Sequence, residues 1–135
     1  MRFMCVFGKT AYDAYVDIKE NNTSLDVAWN NAIKKYTTKH SIQKKGCPKD
    51  AFFGLCRNGR LEGIDGIKGT DTGKNAIYAD ILADLFINNP NAQDWANVNI
   101  WAYVRMEAQK MGIVNPAKNE NCQISVVRAL LSYLK

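Results

Sequence analysis

The sequence predicts an all-α protein, a single compact domain of five to six helices across residues 1–135. Three observations carry that expectation. Apolar residues recur at spacings of three and four rather than two, which is the period of a helix face. Residues that start and stop helices punctuate those segments. The composition, 47% hydrophobic and 23% charged, is that of an ordinary globular chain, and a chain of this length buries about two-thirds of its unfolded surface without needing a staple.

Residues 1–7 read as an N-terminal arm, with Phe3–Phe7 the one short strand-like run. Ala11, Ala14, Tyr15 and Ile18 then follow the i, i+3, i+4, i+7 template of a first helix. Leu25, Ala28, Trp29, Ala32, Ile33 and Tyr36 define a second, for which Thr23 and Asp26 form a capping box. A third starts at Cys47-Pro48, because proline suits a first helical position. It buries Phe52, Leu55 and Cys56 and stops at Asn58-Gly59, where glycine accepts the left-handed conformation. Leu61–Gly73 is glycine-rich and reads as a loop, so substitutions at Gly66 and Gly69 are expected to leave stability nearly unchanged. A fourth helix runs from about Lys74 to Asn88, with Pro90 beyond it. Asn91 or Asp94 caps a fifth that carries Trp95, Val98, Trp101, Ala102 and Val104 inward and closes at Gly112. The last runs from about Asn121 to Leu134, and its wide apolar arc predicts the most buried helix.

The net charge of +5 is unevenly distributed. Lys34, Lys35, Lys39, Lys44, Lys45, Lys49, Arg57 and Arg60 face a single acid, Asp50, within one stretch. Such an excess favours an anionic partner, nucleic acid or an acidic protein surface. Two predicted helix starts add backbone N–H groups suited to anions: Cys47-Pro48, flanked by Lys44, Lys45 and Lys49, and Gly73-Lys74-Asn75. If they converge, they frame one site with Arg60, with Gln123 and Asn121 adding amide contacts.

Cys47 is also the candidate nucleophile, since thiols at helix starts beside lysines ionise more readily. His40, the only histidine, is the available base, at or just past the end of the second helix. Cys56 and Cys122 fall on apolar helical faces and are expected in the core. The four cysteines lack paired spacing, so neither a zinc site nor a disulfide framework is expected, and no cofactor is implied. The Gly66–Asn75 loop departs from a phosphate-binding loop, having Lys68 where glycine is required and Asn75 where serine or threonine is. Trp29, Trp95 and Trp101 are expected to pack in the core, while Tyr12, Tyr36 and Tyr78 offer exposed hydroxyls. Glu62, Asp65 and Asp71 lie in a loop and make no nuclease pattern. No stretch reaches the ~20 apolar residues of a membrane helix, and the N-terminal apolar run is too short for a signal peptide; a soluble cytoplasmic protein is expected.

The segment Gln43-Lys44-Lys45-Gly46-Cys47-Pro48-Lys49, followed by Ala51-Phe52-Phe53-Gly54-Leu55-Cys56, resembles a motif of a family of small uncharacterised bacterial and phage proteins, a domain of unknown function. The likeness extends to Gly8-Lys9-Thr10-Ala11, to Lys74-Asn75 with Tyr78-Ala79, and to Gln123 with Val126-Val127. The chain departs from the pattern at Met1–Cys5 and in a longer Pro90–Asn121 segment. The resemblance implies no activity.

The expected function is a small basic module that binds an anionic partner, nucleic acid first, through Lys34–Arg60. The alternatives are a phage or mobile-element inhibitor or adaptor directed at a host defence protein, and a thiol-dependent enzyme using Cys47.

Overall fold

The computed structural model describes residues 5–135. In chain order these form α1 (Val6–Asn21), α2 (Leu25–Lys34), a single-turn α3 (His40–Gln43), α4 (Gly46–Arg57), α5 (Lys74–Asn88), α6 (Asn97–Lys110) and α7 (Gln123–Ala129), with 3₁₀ turns at Pro90–Asp94 and Leu131–Tyr133. Six helices of seven residues or more thus make the all-helical domain. Among the described residues there is no strand, only an isolated antiparallel bridge between Leu61 and Leu134.

Helices α1 and α2 pair, α4 and α5 pair, and α7 packs against α1, α4 and α5. Trp29 of α2 meets Phe52 of α4 with ring centroids 5.5 Å apart, at the centre of the core. Helices α4 and α5 touch most closely where Gly54 lies against Ala76: a Cβ at Gly54 would come within 2.5 Å of the Ala76 Cβ. Partners rise together along the pair, Gly54 with Ala76, Asn58 with Asp80 and Arg60 with Asp84, so the two helices run parallel. Parallel neighbours cannot be joined by a tight turn. The long glycine-rich connection exists to carry the chain back.

Helix α4 ends as the sequence predicts. Gly59 has φ +70°, the Arg60 N–H donates to the Leu55 carbonyl at 2.9 Å, and the Gly59 N–H donates to the Cys56 carbonyl at 3.3 Å, a Schellman closure. Gly112 closes α6 in the same way, with φ +98° and the Ile113 N–H on the Ala108 carbonyl.

Several boundaries differ from expectation. Ser24, not Thr23, caps α2: its hydroxyl accepts from the Val27 N–H, while the Thr23 hydroxyl donates to Asp17. Val6 and Phe7 are helical, so the expected arm does not reach Phe7; residues 1–4 lie outside the described residues. Helix α4 begins at Gly46, with Pro48 still in its first turn. Helix α6 begins at Asn97 because Pro90 sets a 3₁₀ turn first, and its inward face is Ile100, Trp101, Val104 and Ala108. Val98, 73% exposed, Trp95, 38% exposed, and the exposed Ala102 face out instead. Helix α7 is shorter than predicted, giving way to the 3₁₀ turn after Leu130.

The glycine-rich connection is docked rather than loose. Leu61 and Ile64 are buried, and the Ile67 N–H donates to the Arg57 carbonyl. A Cβ at Gly66 would stand 2.3 Å from the Cys56 carbonyl oxygen and 2.4 Å from the Gly59 nitrogen. Gly69, at φ +82°, has no neighbour within 4 Å of that position. The expectation that Gly66 tolerates substitution is therefore corrected. Gly66→Ala should cost about 3 kcal/mol by overpacking against backbone, and Gly69→Ala about 1 kcal/mol from its left-handed backbone alone. Denaturant unfolding of the two variants checks this; equal, small losses would mean that the connection is not docked.

Candidate anion-binding site

The site is assembled around the α3–α4 junction. The Gln43 side-chain amide donates to the Thr37 carbonyl at 2.8 Å and the Lys39 N–H donates to the Thr37 hydroxyl at 3.1 Å, which fixes the chain between α2 and α3. Lys39, His40 and Lys44 are exposed, and Lys45, Cys47 and Lys49 are half-buried. The Lys45 ammonium lies 5.8 Å from the centre of the Phe7 ring, and that of Lys49 lies 5.9 Å from the Phe53 ring. Each ammonium thus lies over an aromatic face, within the range of a cation–π contact. No side chain caps α4, so the first N–H groups of that helix have no side-chain partner. The Asp50 carboxylate stands near this turn, 3.8 Å from where a Gly46 Cβ would be.

The second predicted anion site is differently furnished. A cavity of about 180 Å³ at the start of α5 is lined by Asp50, Arg57, Asp71, Gly73, Lys74, Asn75 and Ala76. Asp71 occupies its backbone donor, accepting from the Gly73 N–H at 3.0 Å, and pairs with Arg57 at 3.2 Å. Asn75 accepts through its Oδ1 from the Gln123 amide at 2.9 Å, and the Gln123 Oε1 accepts from the Asn121 N–H. Gln123 is fully buried. These amides tie the start of α5 to the start of α7.

Arg60 belongs to neither start. Its guanidinium donates to Asp84 at 2.6 Å, lies 3.6 Å from Asp80, and donates through Nε to the Lys135 carbonyl at 2.8 Å, with 13% of the side chain exposed. It sits beyond the opposite end of α4 from Lys45, roughly 20 Å away at 1.5 Å per residue. The two helix starts are staggered: Ala76 lies opposite Gly54, α5 opens two residues before Ala76 and Cys47 stands seven before Gly54, an offset of about 8 Å along the axis. Asp50 neighbours both, standing near Gly46 and lining the cavity at the α5 start.

The α7 start adds Glu120, which no sequence pattern marks. The Glu120 carboxylate accepts from the Ile124 N–H at 2.9 Å. Burial pushes the Glu120 carboxyl up, against the pull of that hydrogen bond, of the Cys122 N–H, and of Lys45 and Arg128. Cys122 is the residue that precedes α7, at φ +70° and half-buried rather than in the core. Burial pushes its thiol up, with Lys45 opposing. Cys56 is the core thiol, pushed up to about 12 by burial.

The sequence marks Asn58 only as a helix stop, yet its side chain is a buried hub. Its amide donates to the Asp71 carbonyl at 3.1 Å and to the Asp80 carboxylate at 3.0 Å, and its oxygen accepts from the Asp71 N–H at 2.7 Å. Burial raises the Asp80 carboxyl, with Arg60 and Asn58 pulling it back down. Nothing in a lone Asn-Gly pair distinguishes such a hub from a plain stop.

Other expected roles resolve individually. His40 opens α3, and among the described residues no hydrogen bond joins it to Cys47. Tyr78 is buried, accepting at its hydroxyl from the Ala117 N–H at 2.9 Å, so it offers no exposed hydroxyl. The Tyr36 hydroxyl donates to Asp13. Among the described residues no group of three or more histidines, cysteines and acids is placed to hold a metal ion, and no helix is long and apolar enough to cross a membrane.

Residues 4–133 match the model of DUF6979, a family of unknown function. The chain belongs to DUF6979. Membership bears out the resemblance carried by the Gln43–Cys56 motif, and the matched span includes the Pro90–Asn121 segment. No curated protein and no solved structure matches the chain. The family supplies no activity, so the chemistry rests on the site.

Two outcomes test the geometry of this DUF6979 member. Asn58→Ala leaves the Asp71 N–H and the Asp80 carboxylate without that partner and should cost about 2 kcal/mol; loss of less than a few tenths in denaturant unfolding would remove the hub. The Tyr36 phenol is raised from 10.0 to about 12, first by its hydrogen bond to Asp13 and then by burial. A raised folded value favours the neutral phenol, so this contribution is complete below pH 10 and declines as pH rises toward 12. Tyr36→Phe should lack that part of the alkaline decline in melting temperature.

Proposed function

We propose that the chain binds nucleic acid through phosphate contacts from Lys39, Lys44, Lys45 and Lys49. One observation carries this reading. Folding divides the cationic run: Arg57 and Arg60 are engaged by Asp71, Asp80 and Asp84, whereas Lys39 and Lys44, which flank α3, are exposed and Lys45 and Lys49 at the start of α4 are half-buried with no acid paired to them among the described ion pairs. Asp50 is the one acid in that stretch. Phosphate contacts give affinity without a base-reading motif, which suits a corner with none.

A second reading, an inhibitor or adaptor that binds a protein such as a host defence component, has one observation in its favour. Val98, Ala102 and Met106 stand exposed on one i, i+4 row of α6, and Trp95 is exposed just before it. An apolar row suits a protein surface better than a phosphate backbone.

The triple variant Lys44→Glu, Lys45→Glu, Lys49→Glu should weaken binding to a short duplex at least tenfold at low salt and reduce the slope of log K against log salt by about 2 to 3. Lys110→Glu, on α6 and paired with Glu107, should leave both unchanged. A gel-shift series over salt concentration reads both quantities. Absence of wild-type binding to duplex and single strands at low salt would end this reading and favour the protein-directed one.

A further inference from the structure

A cavity of about 250 Å³ lies between α6 and the segment that leads into α7. On the α6 side Asn97, Trp101 and Arg105 line it at successive i, i+4 positions, with Val98 and Ala102 on the neighbouring row. Lys118 and Glu120 line it from the other segment. Its walls are pinned. The Trp101 indole N–H donates to the Ala117 carbonyl at 2.9 Å, and the Ala117 N–H donates to the Tyr78 hydroxyl at 2.9 Å, which ties the residue before Lys118 to both α6 and α5. The Asn97 Oδ1 accepts from the Arg128 guanidinium at 3.2 Å. The Glu120 carboxylate is turned to its own helix, accepting from the Ile124 N–H. Arg105 is the group the fold leaves unanswered. Its Nε is closed off from solvent with no hydrogen-bond partner, and among the described residues neither Arg105 nor Lys118 makes an ion pair. A buried donor left unpaired is costly and calls for a partner.

We propose that this cavity binds a small carboxylate with a flat apolar body, of the arylacetate class. A carboxylate is the natural partner of a guanidinium, which grips it through two parallel N–H donors, and Lys118 adds a second positive charge to the same cavity. Trp101, Val98 and Ala102 supply an apolar wall for the rest of the ligand. A bare phosphate would leave that wall uncovered, and a neutral arene would leave Arg105 unanswered. The volume equals that of roughly eight waters at ~30 Å³ each, room for a single ring with its acid group. Because the hydrogen bonds around Ala117, Asn97 and Glu120 already hold the walls, little ordering is lost on binding. Val98 and Ala102 also belong to the exposed row of α6, but the site depends on neither reading of the function.

The test titrates the isotope-labelled full chain with phenylacetate and follows nitrogen–proton NMR signals. The Trp101 indole signal should shift saturably, because its N–H bonds the residue just before Lys118, and the Arg105 Nε–H signal should shift with it. Phenylacetamide keeps the ring and loses the charge, and should bind at least about tenfold more weakly. Arg105→Gln should weaken phenylacetate by a similar factor, and Arg105→Lys, which keeps the charge without the fork, should fall between it and the wild type. The triple variant Lys44→Glu, Lys45→Glu, Lys49→Glu should bind phenylacetate unchanged, since none of these lysines lines the cavity. The proposal is overturned if the wild type shows no saturable Trp101 shift, if phenylacetamide or inorganic phosphate binds as tightly as phenylacetate, or if Arg105→Gln binds it like the wild type. Should Arg105→Gln fail to fold, the wild-type comparison of acid with amide decides alone.

Discussion

The close approach of Gly54 to Ala76 sets the rest of the arrangement. Only a residue without a side chain lets α5 come this near to α4, and the Asn58–Asp80 and Arg60–Asp84 contacts further along show the pair to run parallel. A parallel pair needs a returning connection, and this one is held by backbone hydrogen bonds and by Gly66 lodged beneath the Cys56 carbonyl. Asn58 then answers the polar groups that the return leaves buried, which is why one amide serves Asp71 and Asp80 together. Buried polar groups left unpaired are expensive, so the glycine contact, the returning segment and the Asn58 hub depend on one another.

The same geometry decides where charge remains available. Along the chain the cations form one run, but α4 places its two ends far apart in space. At its C-terminal end Arg57 and Arg60 meet the acids of the returning segment and of α5. Arg60, with its side chain mostly covered, is part of the structure and is a poor candidate for a mobile ligand. At the N-terminal end Lys45 and Lys49 set their ammonium groups over the Phe7 and Phe53 rings, half-buried and away from those acids. Sequence neighbours therefore have different electrostatic fates, and a count of positive residues says little until the helix is built.

How much was legible follows from which signals are local. Helix period, the Gly59 stop and the α5 span all rest on residues within a few positions, and the structure agrees with them. The cap of α2 falls on Ser24 rather than Thr23, because both are cap-forming residues and Asp17 takes the Thr23 hydroxyl. The inward face of α6 was misassigned because Val98 and Trp95 are apolar but lie before or across from the buried stripe. Gly66 looked like one more loop glycine; its constraint comes from backbone atoms of α4, which no spacing rule carries. For the site, Lys44, Lys45, Cys47 and Lys49 were legible as a local cluster. The diversion of Arg60, Asn75 and Gln123 into partners on distant segments was not.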